Sequence, residues 1–190
     1  ASMEDDVIKL SNKMGVLPEE IVPSLYQALS AGIPAGNVFD FLEVSIKGAK
    51  AGVATTAESV DLLTSVTNAY GRENLSVAKA SDIIFTTIKE GKTTFTELAG
   101  AIYQVGPVAA NAGVSFQDVG AAIASLTAQG VPTRVATTQI RQAILALASP
   151  NKNLAETLAN TTGNIYEMAE MMKKPGGLLK AFERLKEHAS

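Results

Sequence analysis

A glycine followed three residues later by a threonine recurs at a constant spacing in the middle of this chain. The copies are the segments GVATTAESVDLL, GKTTFTELAGAI and GVPTRVATTQIR, with the evenly spaced pairs Gly52/Thr55, Gly91/Thr94 and Gly130/Thr133. Ser76 and Ser115 have the same separation and mark a second start inside the period. A period of about 39 residues holds two helices of about fifteen residues and their turns, which is the size of helical-hairpin repeats. The sequence therefore predicts an all-α fold of stacked helical hairpins.

Helix starts are indicated by polar residues at capping spacing. Thr55 with Glu58, and Thr94 with Glu97, have the pattern of a capping box, in which a hydroxyl accepts from the third helical N–H and the glutamate bonds back. The pair formed by Ser115 and Asp118 is a similar start. Each start is followed by apolar residues at helical spacing, which predicts that the stripes containing Ile84 and Ile123 are buried. No segment alternates with period two, so no strand is predicted.

Glycine and proline indicate where the helices end. Three glycines follow predicted helices at the position that favours a left-handed residue: Gly71, Gly91 and Gly130. Pro132 and Pro150 lie just beyond predicted helix ends. The Gly106-Pro107 pair is expected to end or kink the first helix of the third unit, because proline removes a helical N–H and crowds the preceding turn.

These signals divide the chain into three parts. Residues 1–16 are expected to form a flank outside the repeat, residues 17–150 the helical-hairpin core, and residues 151–190 an irregular helical extension. Within the extension, helices are predicted near Leu154–Ala159, Met168–Lys174 and Leu178–Glu187, separated at Pro175-Gly176-Gly177.

Composition argues against several classes of chemistry. The chain has no cysteine, and its one histidine, His188, is two residues from the end, so Ser–His or Cys–His catalysis has little to rest on. No glycine-rich phosphate loop occurs, and no cofactor is expected. With 16 basic and 19 acidic residues, the chain lacks the charge expected for specific nucleic-acid binding. The uncharged run from Leu98 to Gln117 predicts a buried or interface helix rather than a membrane span.

Charge is sparse from Leu98 to Asn151, where the charged residues are Asp118, Arg134 and Arg141. A monomer usually dilutes such a surface with charge, so part of this region is expected to contact another chain.

Three segments carry a resemblance to a known family: LTSVTNAYG at Leu63–Gly71, GKTTFTELAGAIYQVGPVAANAGVSFQDVGAAIASLT at Gly91–Thr127, and TTQIRQAILALASP at Thr137–Pro150. In these segments the chain resembles the core region of phage tail tape measure proteins, of the type shared by lactococcal temperate phages and many prophages. The likeness extends from about Leu17 to Pro150, and the Phe95–Gly113 block is its most specific part.

The resemblance implies a structural, non-enzymatic role in the virion, within the lumen of the phage tail, and in the host cytoplasm during assembly. It implies tail-length determination, a homo-oligomer in the virion, and partners that include the tail tube protein, the tail assembly chaperones and the tail tip or baseplate. It brings no cofactor and no catalytic residue. A competing interpretation is a helical-repeat scaffold that presents one face to a partner protein.

Overall fold

α-Helices account for most of the residues that the structure describes. The computed structural model describes residues 2–189, apart from the side chains of Thr161, His188 and Ala189. Within this range it has twelve α-helices and no strand: α1 (Met3–Met14), α2 (Pro18–Ser30), α3 (Val38–Gly52), α4 (Thr56–Tyr70), α5 (Val77–Glu90), α6 (Phe95–Ala99), α7 (Ile102–Asn111), α8 (Phe116–Ala128), α9 (Thr133–Ala148), α10 (Lys152–Thr162), α11 (Glu167–Met172) and α12 (Gly177–Ala189). The all-α prediction is confirmed.

The helices pack in two rows. One row runs α2, α4, the short helix α6 together with α7, and α9, each packed on the next, and the second row runs α1, α3, α5, α8 and α12. Consecutive helices such as α3 and α4, or α8 and α9, also pack across the rows. The apolar stripes meet between the rows, where Leu42, Ile84, Ile123 and Ile140 are buried. The chain therefore forms a two-row stack of antiparallel helical hairpins around one core.

Helix starts within each row follow a regular spacing. In the first row they fall at nearly equal intervals, at Pro18, Thr56, Phe95 and Thr133. In the second row α3, α5 and α8 start at equal intervals, at Val38, Val77 and Phe116. These intervals are close to the spacing of about 39 residues between the repeated sequence segments. That the repeated units share the same internal structure stays a prediction. In the third segment the N-cap residue of α9 is Pro132. Thr133 is the first helical residue there, and it does not cap the helix as Thr55 and Thr94 do.

The prediction that Gly106-Pro107 ends the helix is wrong, because both residues lie inside α7; that the pair kinks the helix stays a prediction. The break falls earlier, at Gly100 and Ala101, where Ala101 N donates to Leu98 O at 3.0 Å and Gln104 N to Ala101 O at 3.2 Å. A side chain before proline clashes with the proline ring in helical conformation. Gly106 has no Cβ, so this clash is absent, although Pro107 still lacks an N–H to donate within the helix.

Gly91 also departs from expectation. Its φ of −104° and ψ of −176° are extended, so it is not a left-handed cap. Gly71 and Gly130 do have positive φ, at 79° and 92°. After α8, Val131 N bonds Leu126 O at 3.1 Å, the 6→1 bond of a Schellman ending.

Residues at both ends of the chain contribute to the core. In α1, Val7 and Leu10 are buried, and in the C-terminal helices Leu158, Met168 and Leu178 are buried. Pro150 precedes the Asn151 cap of α10. The division of the chain at residues 16 and 150 stays a prediction.

Candidate interaction surface

The capping residues hold the first-row helices at their N-termini. Thr55 Oγ1 accepts from Glu58 N at 3.1 Å, and Glu58 Oε2 accepts from Thr55 N at 2.8 Å. The corresponding distances between Thr94 and Glu97 are 3.2 and 3.0 Å. Bonds from the backbone and hydroxyl of Thr55 lower the pKa of Glu58, since they favour the carboxylate form. Glu58 is therefore held ionised at the positive end of α4.

The third helical residue of successive first-row helices is a glutamate, and these glutamates link one unit to the next. They are Glu20 in α2, Glu58 in α4 and Glu97 in α6. Thr56 Oγ1, at the first position of α4, donates to Glu20 Oε1 at 2.6 Å. Thr133 Oγ1, at the first position of α9, donates to Glu97 Oε2 at 3.4 Å. Each threonine is buried and lies 36 residues after its glutamate.

The link differs at the middle unit, where the first helical residue is Phe95. Thr96, the second residue of α6, has a smaller part there: its side chain adds to the lowering of the pKa of Glu58, after the bonds from Thr55. We refer to Glu20, Glu58 and Glu97 as the glutamate ladder. Sequence analysis missed the ladder, although the recurrent separation between a glutamate and a later threonine was a signal that could have revealed it.

Helices α5 and α8 approach closely because two glycines lie between them. A Cβ at Gly120 would be 2.5 Å from Thr87 Oγ1 and 3.1 Å from Ile83 Cγ2. A Cβ at Gly91 would be 2.6 Å from Thr127 Oγ1 and 2.9 Å from Ala124 Cα. Real Cβ atoms essentially never have contacts shorter than 3.0 Å, so the distances to Thr87 Oγ1, Thr127 Oγ1 and Ala124 Cα exclude a side chain unless the neighbours move. Gly91 therefore allows α5 and α8 to pack closely. At this short separation Lys92 N donates to Thr127 Oγ1 at 3.1 Å.

A groove of about 540 Å³ runs along the outer side of this contact. Its walls differ in charge: α5 contributes Lys79, Asp82 and Glu90, whereas α8 contributes uncharged residues, which are Gln117, Gly120, Ala121, Ala124, Ser125 and Ala128. Short side chains along α8 leave room for a backbone or a helix of another chain. We call this surface the α5–α8 groove, and its α8 wall lies in the uncharged region that the sequence singled out.

The same region exposes apolar side chains on α7 and α9. Tyr103, Val135 and Leu145 are all exposed. Gln104 Nε2 donates to Tyr103 OH at 3.2 Å and Gln104 Oε1 accepts from Thr138 Oγ1 at 2.9 Å, which joins α7 to α9. Hydrogen bonds from Gln104 and Arg134 lower the pKa of Tyr103. These residues support the expectation of a contact surface, and its partner stays a prediction.

Asp118 has a role that its position in the sequence did not indicate. Ser115 Oγ accepts from Asp118 N at 3.1 Å, as a capping residue does, but the Asp118 carboxylate accepts from Gly176 N at 2.9 Å. Asp118 thereby ties the turn between α11 and α12 to the first turn of α8. Asp118 Oδ2 and Tyr70 OH are buried without a hydrogen-bond partner among the described residues. Burial, and the negative charge of Asp118, raise the pKa of Tyr70.

Other kinds of site find little support in the described part of the chain. Residues 2–189 contain no cluster of three or more histidine, cysteine, aspartate or glutamate side chains that could hold a metal ion. None of the twelve described helices combines the length and hydrophobicity needed to cross a membrane. Met168 and Met172, both in α11, are buried in the core and do not form an exposed binding surface. The His188 side chain lies outside the described residues.

Comparisons with known proteins point to one family. The family model of phage-related minor tail proteins matches residues 4–190. A probable tape measure protein of Clostridium phage phiCD119 is 33% identical over 173 residues, which cover 87% of this chain and 18% of that protein. The tape measure protein of Pneumococcus phage Dp-1 is 22% identical over 165 residues, which cover 87% of this chain and 14% of the relative. A probable tape measure protein of Escherichia phage P2 is 25% identical over 138 residues, or 69% of this chain and 17% of the relative.

The chain thus spans less than a fifth of the length of these relatives. No solved structure matches it. The match of the family model covers nearly the whole helical stack, including the capping residues, the glutamate ladder and the α5–α8 groove. The chain therefore belongs to the phage-related minor tail protein family, as a segment of the tape measure type.

Proposed function

We propose that this segment is a compact structural domain of a tape measure protein, which takes part in tail assembly and in setting tail length inside the tail tube. The observation that carries the compact form is the placement of helix ends. Gly71 and Gly130 adopt positive φ, and capping boxes restart the helices at Thr55 and Thr94. A straight helix would lose these caps, and it would cost about 1 kcal/mol for each interior glycine and about 3 kcal/mol for each interior proline relative to alanine.

The role is non-enzymatic in this proposal. The family is one of structural tail proteins, and the sequence offers neither a cysteine nor a histidine other than His188 for nucleophilic catalysis. The partners are the tail tube protein, the tail assembly chaperones and the tail tip or baseplate, with further copies of the same protein in the virion. The protein acts in the host cytoplasm during assembly and in the lumen of the tail afterwards.

The experiment is an in-frame deletion of residues 91–129 in the phage, paired with a duplication of the same segment. A continuous helix rises about 1.5 Å per residue, so an extended segment would change the tail length by about 58 Å in opposite directions in the two phages. In a compact stack, one unit adds about 10 Å, since packed helices lie about 8–10 Å apart. We expect tail lengths, measured by electron microscopy, to stay within about 10 Å of wild type. Changes near the full helical length would exclude the compact form.

A second candidate is a helical-repeat scaffold that binds another protein, and the α5–α8 groove favours it. Ala121→Glu and Ser125→Glu would place charge on the uncharged wall of this groove, and Gln129→Glu, just beyond α8, is a matched surface control. If the segment is a scaffold, the two groove variants reduce the yield of tails but leave their length unchanged, whereas the control has neither effect. Normal yield from both groove variants would exclude a partner in this groove.

A further inference from the structure

The end of the stack formed by α1 and α2 exposes apolar side chains. Met3, Ile8 and Val22 are 46, 50 and 52% exposed, and they line a groove of about 460 Å³ between the two helices. Val7 and Leu25, both buried, form its floor. Tyr26, one helical turn after Val22, is exposed as well. We call this surface the α1–α2 groove.

The two ends of the stack are covered differently. At the far end, α12 packs on α8 and α11 packs on α9, so both α8 and α9 are covered. At the near end, α1 packs inward on α3 and α2 packs inward on α4. In helical-repeat proteins the outer face of a terminal unit is polar, because an apolar face needs a neighbour to cover it. The α1–α2 groove thus has the character of an internal layer of a stack.

Charge around the groove limits what can occupy it. Glu4 lies in its lining and Glu19 follows the lining residue Pro18 in the first turn of α2. Neither carboxylate has an ion-pair partner among the residues that the structure describes. A second copy of this chain related by a two-fold axis would bring carboxylates of the two copies close together, and this repulsion between like charges is unfavourable. An occupant with an apolar face and basic flanks complements the groove.

The polypeptides of this family have ample chain to supply such an occupant, since the 173 matched residues are 18% of the Clostridium phage relative. We propose that the α1–α2 groove is the docking site of a further amphipathic helix of the same tape measure polypeptide, outside residues 1–190. That helix continues the stack by one layer: its apolar residues cover Val22 and Ile8, and its basic residues face Glu4 and Glu19. This proposal rests on the compact stack described under the proposed function.

The absence of cysteine from this chain allows a direct test by labelling. Val22→Cys reports on the groove, and Val53→Cys, at a valine that is 92% exposed in the turn after α3, is the matched control. Each is placed in the 190-residue chain and in the full-length phage protein. A maleimide reagent is added, and the modification of each site is followed by peptide mass spectrometry. Ile8→Cys, from the opposite wall, is the second variant if Val22→Cys fails to fold.

In the full-length protein we expect the cysteine at position 22 to react at least about tenfold more slowly than in the isolated chain, because an occupant held by about 1.4 kcal/mol or more leaves a tenth of the groove open. The cysteine at position 53 should react equally fast in both, and the protection should persist on dilution. Equal reactivity at position 22 would refute the proposal.

Other outcomes would assign the groove to a different occupant and would also overturn the proposal. Protection that is lost on dilution, or that appears in the concentrated isolated chain, would assign the groove to a second copy. Protection only in assembled tails would assign it to another tail protein. The labelling does not depend on tail length, so its failure is distinguishable from failure of the deletion experiment.

Discussion

Replacing Gly120 with alanine tests the close contact between α5 and α8. The new Cβ would lie 2.5 Å from Thr87 Oγ1, and Thr87 Oγ1 is held in place by donating to Ile83 O at 2.9 Å. Thr87 is buried, and rotating its side chain away from the new Cβ would break this hydrogen bond. The substitution therefore either forces the two helices apart or breaks the hydroxyl bond.

Two effects of opposite sign determine the free energy of unfolding. Overpacking a close contact costs about 1–3 kcal/mol. Alanine is a better helix former than glycine by about 1 kcal/mol, which offsets part of that cost. The single variant should therefore be about 0–2 kcal/mol less stable than the wild type. Because this range includes zero, the single substitution is not decisive.

A double-mutant cycle with Thr87→Ala separates the two effects. Without the hydroxyl at position 87, Gly120→Ala should stabilise the chain or be neutral, so we expect a coupling free energy of about 1–3 kcal/mol. Urea unfolding followed by circular dichroism measures all four stabilities. Gly100→Ala is the control, since its Cβ would be 3.5 Å or more from its neighbours and should not couple to Thr87. If Gly120→Ala stabilises the wild type as much as it stabilises the Thr87→Ala variant, the close contact does not exist.

Three other perturbations have defined outcomes. Thr94→Ala should lower the free energy of unfolding, measured with urea, by about 1 kcal/mol, because the Glu97 N–H loses its cap. The control Thr86→Ala, on the exposed face of α5, should change this free energy by less than about 0.5 kcal/mol. Asp118→Ala should accelerate hydrogen exchange in residues 167–189, because Gly176 N loses its acceptor. Asp118→Asn keeps an acceptor oxygen, so its hydrogen exchange should equal that of the wild type. Equal exchange rates in the two variants would contradict this. Hydrogen bonds from Lys13 and Lys47 hold the pKa of Glu43 at about 2, below its ordinary value of 4.5. The ionised Glu43 carboxylate therefore stabilises the fold fully above about pH 4.5, and this stabilisation is lost as the pH falls through about 2. The melting temperature of Glu43→Gln should therefore lie below that of the wild type at neutral pH and approach it in acid, and a gap that is independent of pH would contradict the depressed pKa.

Local chemistry determined the positions of most helices. A cap forms between a residue and the backbone three positions later, so Thr55 and Thr94 indicate a helix start without reference to the rest of the fold. The apolar spacing around Ile84 and Ile123 likewise predicts which face is buried, because helical geometry fixes it. The resemblance to tape measure proteins depended on longer segments and was confirmed by the family match.

Tertiary structure decided the features that join distant parts of the chain. Asp118 has the spacing of a capping residue, yet its carboxylate binds Gly176 N, 58 residues away, since the turn between α11 and α12 is folded against α8. Gly91 was expected to adopt positive φ, but its backbone is extended, and a glycine is required there because a Cβ would clash with Thr127 and Ala124. A sequence specifies local hydrogen-bonding options through residue type and short spacing. Which of these options is used depends on what the fold brings within about 3 Å, because hydrogen bonds and steric contacts act only at that range.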